Sequence, residues 1–580
     1  MTAPTRRRAP GDRVPGHRTA DERGPWLSRR GVELPDLVPQ ELRRTWSAQG
    51  HYPDQDLYRL FRQRVHSHPD RPAVIDPGGS LDYAELDRRV CAVAGRLRRA
   101  GVAEREIVAI RLPNGWPAVV AELAVAALGA VALTFPDGRG SGEALSLLAR
   151  SRAGALIATA ATVREIAPLL GRLPVEPLLF SFDRAAPSGT PLLHPQPAGT
   201  DPAALDPGAL DGGAFDPAAF DPVGADPQAP ARILVSSGSE SAPKMIAYSH
   251  NAMAGGRGNY LRAVYAGVPR PRPLVLVPLA SSYGSLGVVS LYRHGATLVL
   301  LDGFDARTAL RAVTRHRPTH LFGVATMLRR MTLLPPEPDE DLGSLRAVIA
   351  SCDGLPAPLL AACLERFGCP VSNLYGSSDG VNCRIEHHAW TEDTTLLGHP
   401  DPAVCAFTVR DEHGRELPPD TAGELWTRGP MTPLCYLGAP ELDARRRAPG
   451  GWVRSGDHGL LTTDGRLRLL RRSSQLVKRG GYSISPAEVE RHVGAHPALA
   501  EAVCVGVPDP DLGERLCACV VPRQGLPTPT LAELNRFLES ERGLERRKLP
   551  EQLLALAALP ISAAGKLSRT ELTALACAER

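Results

Sequence analysis

The stretch from Leu81 to Phe135 sets the strongest constraint on what this chain can fold into. "LDYAELDRRVCAVAGRLRRAGV" (81–102) repeats its apolar residues at helical spacing and stops at Gly101. "IVAIRL" (107–112) is a short apolar strand pattern, and "PAVVAELAVAALGAVALTF" (117–135) reads as helix, glycine and strand. Strand and helix signals go on alternating to about residue 180 and resume from Ile233 to about Pro440. Such alternation predicts parallel strands joined by covering helices, hence an α/β architecture. "HLFGVA", "AVIASCDG" and "VSNLYGSSDG" each end an apolar strand in a small-residue loop. Loops at the carboxyl ends of parallel strands are where such sheets place ligands. From about Gln475 onward strand and helix signals mix in a compact piece, including "EAVCVGVPDP" and "LCACVVPR". The expected organisation is therefore a large N-terminal domain of α/β sheet subdomains (36–471) and a small mobile α+β C-terminal domain (472–580).

Two stretches break the pattern. Residues 1–35 are rich in Arg, Pro and Gly without periodicity and are expected to be a disordered tail. Residues 198–230 repeat every five residues, with Asp201, Asp206, Asp211, Asp216, Asp221 and Asp226 in phase and proline after most of them. A period of five fits neither helix nor strand, and the prolines forbid a ladder, so a low-complexity insertion is expected.

Composition excludes several classes. A net charge of +4 over 580 residues gives no nucleic-acid footprint. No run of 18 apolar residues suggests a membrane span, and the basic N-terminus lacks the apolar core of a secretory signal. The eleven cysteines show no metal-ligand spacing, so a reduced, cytoplasmic chain with buried thiols is expected. Only four of the 67 basic residues are lysines: Lys244, Lys478, Lys548 and Lys566. Where arginine so dominates, a lysine marks a place that wants a compact ammonium rather than a planar guanidinium.

Five stretches stand in order along the chain. They are "VSSGSESAPKMIAYSH" (235–250), "YGSSD" (375–379), "WVRSGDHGLL" with Asp457, "LRRSSQLVKRGGYSISPAEVE" with Arg472, and "PISAAGKLSRTEL" with Lys566. From about residue 50 to 575 the chain resembles the adenylate-forming superfamily: acyl-CoA synthetases, aryl-acid AMP ligases, peptide-synthetase adenylation domains and luciferases. The resemblance covers about nine-tenths of the chain, and the ordered set of motifs is far more specific than any one of them.

The resemblance implies a two-step reaction on a small-molecule carboxylic acid. A carboxylate attacks the α-phosphate of ATP, with Mg²⁺, to give an acyl-adenylate, and a thiol such as CoA then displaces AMP. It implies a nucleotide site of Ser237, Gly238, Ser239, Lys244, Tyr375, Asp457 and Arg472. Ser378 would bond the α-phosphate and Asp379 would serve the metal. Lys566 would reach the carboxylate and α-phosphate. Ser474 stands at the hinge position, and Gly480 and Gly481, with Lys478 before them, match the turn that approaches the thiol in CoA-ligating relatives. The acid pocket would be built from Ser281, Ser282, Ser351, Cys352, Asp353 and Gly354.

The chain departs from the family at informative places. Glu240 stands in the phosphate loop where a triphosphate would sit, and Ser241 replaces a glycine. A like charge at ~4 Å costs about 1 kcal/mol in water and about 4 at an effective dielectric near 20. Asp379 is one methylene shorter than the usual glutamate, and Ser474 replaces an aspartate. The adenosine aspartate and the glycine pair are intact. The expected function is an acyl-CoA ligase for a bulky or aromatic acid in secondary metabolism. A weakened adenylation step, with acyl-AMP supplied by a separate adenylating enzyme, is the close variant. Two alternatives stay open: loading of a carrier protein, and non-catalytic binding of acyl-AMP or nucleotide.

Overall fold

The computed structural model describes residues 25–137, 140–193, 220–236, 243–351, 357–384, 396–472, 477–484, 486–560 and 569–579. Among them the strands form two large α/β sheets, two smaller sheets and a short hairpin. The first large sheet has seven strands in the order Cys435–Tyr436, Lys244–Ser249, Pro230–Ser236, Val131–Thr134, Ile107–Arg111, Ala155–Ala158 and Leu178–Phe180. The second has eight: Val381–Arg384, Val371–Ser377, Ala347–Ala350, His320–Gly323, Pro273–Val275, Leu298–Leu300, Pro72–Asp76 and Gly79–Asp82. Their central strands run parallel, as the alternation demanded.

One core joins the two sheets. It contains Val108 and Ile110 from the first sheet, Val74, Val275 and Leu298 from the second, and the helices Leu57–Ser67, Tyr83–Arg99, Trp116–Ala127 and Ser285–His294 between them. Trp116–Ala127 is apolar on every face and buries ten residues, as a helix enclosed by protein must. Pro117 sits in its first turn, and Gly129, at φ +65°, lets the chain turn back into Val131–Thr134.

Two expectations on the irregular stretches need correction. The unstructured tail was expected to run to residue 35, but Trp26–Leu27 pairs with Glu33–Leu34 and Leu34 is fully buried. Its apolar residues pack on the first sheet's outer core, which outweighs the local Arg and Gly content. The insertion was expected to run to residue 230, but its last part is packed. Phe220 is 5% exposed, with the Arg98 guanidinium 4.4 Å from its ring centroid. Arg98 also donates to the Asp221 carbonyl (3.1 Å), Val223 N donates to the Ala127 carbonyl (2.9 Å), and Pro230 opens a strand. An aromatic side chain offers enough area to hold a segment that proline keeps out of any ladder.

The third sheet orders Leu396–Gly398, Leu467–Arg472, Trp452–Leu461, Gly423–Arg428 and Ala406–Arg410, with Arg447–Ala448 paired alongside. The fourth, Tyr482–Ile484, Val477–Arg479, Gly513–Pro522 and Leu499–Asp509 with Gln552–Ala555, has its own small core. The change of sheet falls between Arg472 and Val477. The described cysteines are unpaired and all are buried except Cys577. Among the described residues no helix is long and apolar enough to cross a membrane.

Candidate functional site

Four neighbouring parallel strands of the eight-stranded sheet deliver the loops that the sequence singled out. Val371–Ser377 leads to Ser378 and Asp379, Ala347–Ala350 to Ser351, His320–Gly323 to Val324, and Pro273–Val275 to the turn holding Ser281 and Ser282. Ser351 N donates to the Gly323 carbonyl at 3.2 Å, so adjacent loops are tied together. Cys352, Asp353 and Gly354 lie outside the described residues, as do Ser237, Gly238, Ser239, Glu240, Ser241, Ser474 and Lys566.

Asp379 meets residues from the other large sheet. Its Oδ1 accepts from the Tyr436 hydroxyl at 2.5 Å and lies 3.8 Å from Lys244 Nζ. Lys244 opens a strand that pairs with Cys435–Tyr436, which explains the convergence. The Lys244 ammonium also stands 5.9 Å from the centroid of the Tyr436 ring. Burial pushes the Asp379 carboxyl up, but Lys244, Arg446, the Tyr436 hydroxyl and Arg447 together hold it below its ordinary value. Burial and the Asp379 charge push the Tyr436 hydroxyl far up, so it stays a donor.

The pair is thus an ionised carboxylate held by a cation and a phenol. Among the described residues no group of three metal-ligating side chains converges. A magnesium ion bound mainly by phosphate oxygens and water needs only one or two carboxylates, and Asp379 Oδ2, with only a 3.4 Å contact from Ser377, fits that demand.

Tyr375 and Asp457 come from different sheets and meet directly. The Tyr375 hydroxyl donates to Asp457 Oδ2 at 2.5 Å, and both residues are buried. Asp457 N donates to Ser455 Oγ at 3.0 Å, and Asp457 stands in register opposite Arg472. The expected adenosine residues are therefore gathered at one place. Their mutual hydrogen bond was not foreseen.

The turn at Ser281–Ser285 is a dense set of short bonds. Ser281 Oγ donates to the Pro278 carbonyl and accepts from Gly284 N, at 2.7 and 2.9 Å. The Tyr283 hydroxyl donates to the Ile349 carbonyl at 2.6 Å, tying the turn to the Ser351 strand. Ser282 takes two bonds from Arg257, Nη1 to its carbonyl (2.9 Å) and Nη2 to its Oγ (3.0 Å). Arg257 in turn lies 5.0 Å from the ring of Tyr248, whose hydroxyl donates to the Ser378 carbonyl at 2.7 Å. Sequence reasoning missed Tyr436, Tyr248 and Arg257. Tyr248 had a legible signal, since Lys244, Ile246 and Tyr248 share one face of their strand.

The C-terminal sheet presents its glycine turn to this edge. Gly480 and Gly481 have φ +58° and +79°, and Gly480 N donates to the Leu512 carbonyl at 2.7 Å. A Cβ on Gly481 would lie 2.6 Å from Val324 Cγ2, so the turn touches the loop beside Ser351 with no room for a side chain. Lys478 N donates to Glu514 Oε2 at 2.6 Å, within the C-terminal sheet. Lys548 is fully buried between the two domains. Its Nζ donates to Glu143 Oε2 at 2.7 Å and to Glu488 Oε1 at 2.8 Å. Beside it, a Cβ on Gly140 would stand 2.0 Å from the Gly543 carbonyl oxygen.

Family models now match both parts of the chain: AMP-binding enzyme over residues 61–437, and AMP-binding enzyme C-terminal domain over 488–566. The chain belongs to the AMP-binding enzyme family. It is an adenylate-forming enzyme in fold and lineage. Among curated relatives it is similar to the 2-hydroxy-7-methoxy-5-methyl-1-naphthoate–CoA ligase of Streptomyces carzinostaticus, 27% identical over 93% of this chain and 96% of that protein. It is also similar to the 2,3-dihydroxybenzoate–AMP ligase of Bacillus subtilis, 26% identical over 92% and 96%. Among solved structures, the amide bond synthetase McbA of Marinactinospora thermotolerans matches with a TM-score of 0.76 at 29% identity, over 89% of this chain and 99% of that one.

Proposed function

We propose that this AMP-binding enzyme is an acid–thiol ligase that converts a carboxylic acid, through its acyl-adenylate, to a CoA thioester. In the first step a carboxylate oxygen bonds to the α-phosphorus of ATP and the bond to pyrophosphate breaks. In the second the thiolate sulfur bonds to the acyl carbon and the carbon–oxygen bond to AMP breaks. Asp457, with Tyr375, holds the ribose hydroxyls, and Arg472 lies on the strand beside it. Ser378 and Lys244 face the phosphates, while Lys566 neutralises charge as carboxylate and α-phosphate approach. Magnesium bound at Asp379 supplies charge neutralisation to the phosphates.

The single observation that carries the thiol half is the turn at Gly480 and Gly481, set against Val324 at the edge of the acid site. A side-chain-free turn there leaves a path for a slender nucleophile. The relatives that ligate CoA support the same reading. Glu240 and Ser241 in the phosphate loop support a weakened first step, with acyl-AMP supplied from elsewhere.

The test pairs pyrophosphate exchange across a panel of aromatic acids with CoA capture of the synthetic acyl-adenylates. Thioester from acyl-adenylate is the expected result, with exchange slow. Robust exchange refutes the weakened first step, and no thioester from any adenylate refutes the ligase.

A second reading, transfer of the acyl group to an amine, is favoured by the likeness to the amide bond synthetase. The same adenylates offered to CoA and to amines side by side separate the two.

A further inference from the structure

Arg257 sits at the end of Met253–Arg257, a π-helical segment set between two short α-helical pieces. Such wide turns recur at functional sites because they shift the following side chain off the helical register. The shift brings a guanidinium that is only 3% exposed under the Ser281–Ser285 turn.

Its partners are all neutral. Nη1 donates to the Ser282 carbonyl and to Ser285 Oγ (3.2 Å), Nη2 donates to Ser282 Oγ, and the Tyr248 ring covers one face. Nε has no hydrogen-bond partner among the described residues. The contrast with Arg232 is instructive. That guanidinium, equally buried and purely internal, is paired with Glu122 and further held by Thr134 and the Leu279 carbonyl. Burying a cation without a counter-charge costs several kcal/mol, so an uncompensated one is kept for a reason.

The serines of the turn supply the second observation. Ser281 Oγ gives its proton to the Pro278 carbonyl and Ser285 Oγ gives its proton to the Ser282 carbonyl, each at 2.7 Å. Ser282 Oγ accepts from Arg257, and its own proton has no acceptor among the described residues. A hydroxyl that accepts a charge-assisted bond becomes a stronger donor. Ser282 lies on the loop beside Ser351, and Arg257 is linked through Tyr248 to Ser378. The free donor thus stands at the edge where acid and adenylate meet.

We propose that Ser282, polarised by Arg257, donates a hydrogen bond to an oxygen substituent on the acid itself. The substituent is a hydroxyl, keto or second carboxylate oxygen, distinct from the carboxylate that reacts. The pair thereby selects oxygen-substituted acids over hydrocarbon acids of the same shape. Ser282 touches the substrate and Arg257 is the positioning residue behind it. The inference rests on the acid–thiol ligase reading, since it assigns that site its acid.

The test uses non-hydrolysable acyl-sulfamoyl adenosines of two matched acids, 1-naphthoic and 2-hydroxy-1-naphthoic acid, bound to the full-length protein in a calorimeter. Thioester formation from the corresponding acyl-adenylates is measured in parallel. The wild type is expected to bind the hydroxylated analogue at least about tenfold tighter, the scale of one buried charge-assisted hydrogen bond. Ser282→Ala and Arg257→Met are each expected to erase most of that ratio, chiefly by weakening the hydroxylated analogue. Arg257→Lys is expected to restore part of it.

If Arg257→Met weakens both analogues alike, Arg257 is a scaffold residue and the inference fails. An unchanged ratio in Ser282→Ala overturns it as well, and so does a wild type that discriminates neither this pair nor the matched keto and carboxyl acids. Binding without discrimination refutes only this inference, whereas absence of any analogue binding refutes the ligase reading beneath it.

Discussion

Glu143→Gln tests whether the ion cluster at Lys548 holds the C-terminal domain where the glycine turn reaches the acid site. Glu143 belongs to the N-terminal domain, in the first turn of Ser141–Ser151, whereas Lys548 and Glu488 belong to the C-terminal one. Lys548 is fully buried, and the side chains of Glu143 and Glu488 are 7% and 5% exposed, so solvent screens the cluster little. Removing the Glu143 charge leaves Lys548 paired with Glu488, so the loss falls on the bond between domains. A hydrogen bond to a charged group contributes about 1.5–3 kcal/mol, which is roughly 10- to 150-fold in the population of this arrangement. Single-turnover capture of a synthetic acyl-adenylate by CoA should slow within that range. Binding of the adenylate, made by other residues, should hold. Lys548→Met, which strands two buried carboxylates, should cost more, about 3–5 kcal/mol in total. In a double-mutant cycle the two substitutions should be coupled. Capture within twofold of wild type in Glu143→Gln, or a coupling of zero, would refute the reasoning.

Three further outcomes are expected. Gly481→Ala places a Cβ 2.6 Å from Val324 and should slow CoA capture by tenfold or more, read in the same single-turnover assay, with adenylate binding retained. Tyr375→Phe leaves Asp457 without its hydroxyl donor and should lower stability by about 1–3 kcal/mol, read by denaturant unfolding. Burial first of all depresses His250, His294 and His320 to about 4, so each folds neutral. A depressed pKa means the unfolded chain binds the proton more readily. Stability should therefore be fully present above about pH 6.5 and fall as pH drops toward 4, by up to about 3 kcal/mol per histidine. A thermal midpoint flat over that window would contradict it.

The elements that the sequence disclosed are those carried by local pattern. Helix Tyr83–Arg99, strand Ile107–Arg111 and the loops after Ala347–Ala350 and Val371–Ser377 follow from apolar spacing and small-residue punctuation. The order of motifs pointed to the family before any geometry. Contacts made in three dimensions were hidden. Tyr375 and Asp457 lie 82 positions apart and on different sheets, so nothing local links them. Arg257 follows a widened turn that helical periodicity cannot register, and "GGR" carries no charge pattern. Phe220 was masked by the prolines around it, because a repeat that cannot form a ladder can still dock one ring. Lysine scarcity proved informative at Lys244 and Lys548. Each places a compact ammonium in a narrow space against carboxylate oxygen.

The contact between Gly140 and Gly543 has a consequence for exchanging parts between relatives. Main chain lies against main chain there, and any side chain at position 140 would overlap the Gly543 carbonyl. Substitution cannot adjust such a surface by degrees. Chimeras that graft a foreign C-terminal domain after residue 472 should therefore fall into two sharp groups. Recipients that keep small residues on both sides should assemble, and those that lose one should not, however well their side chains are matched elsewhere.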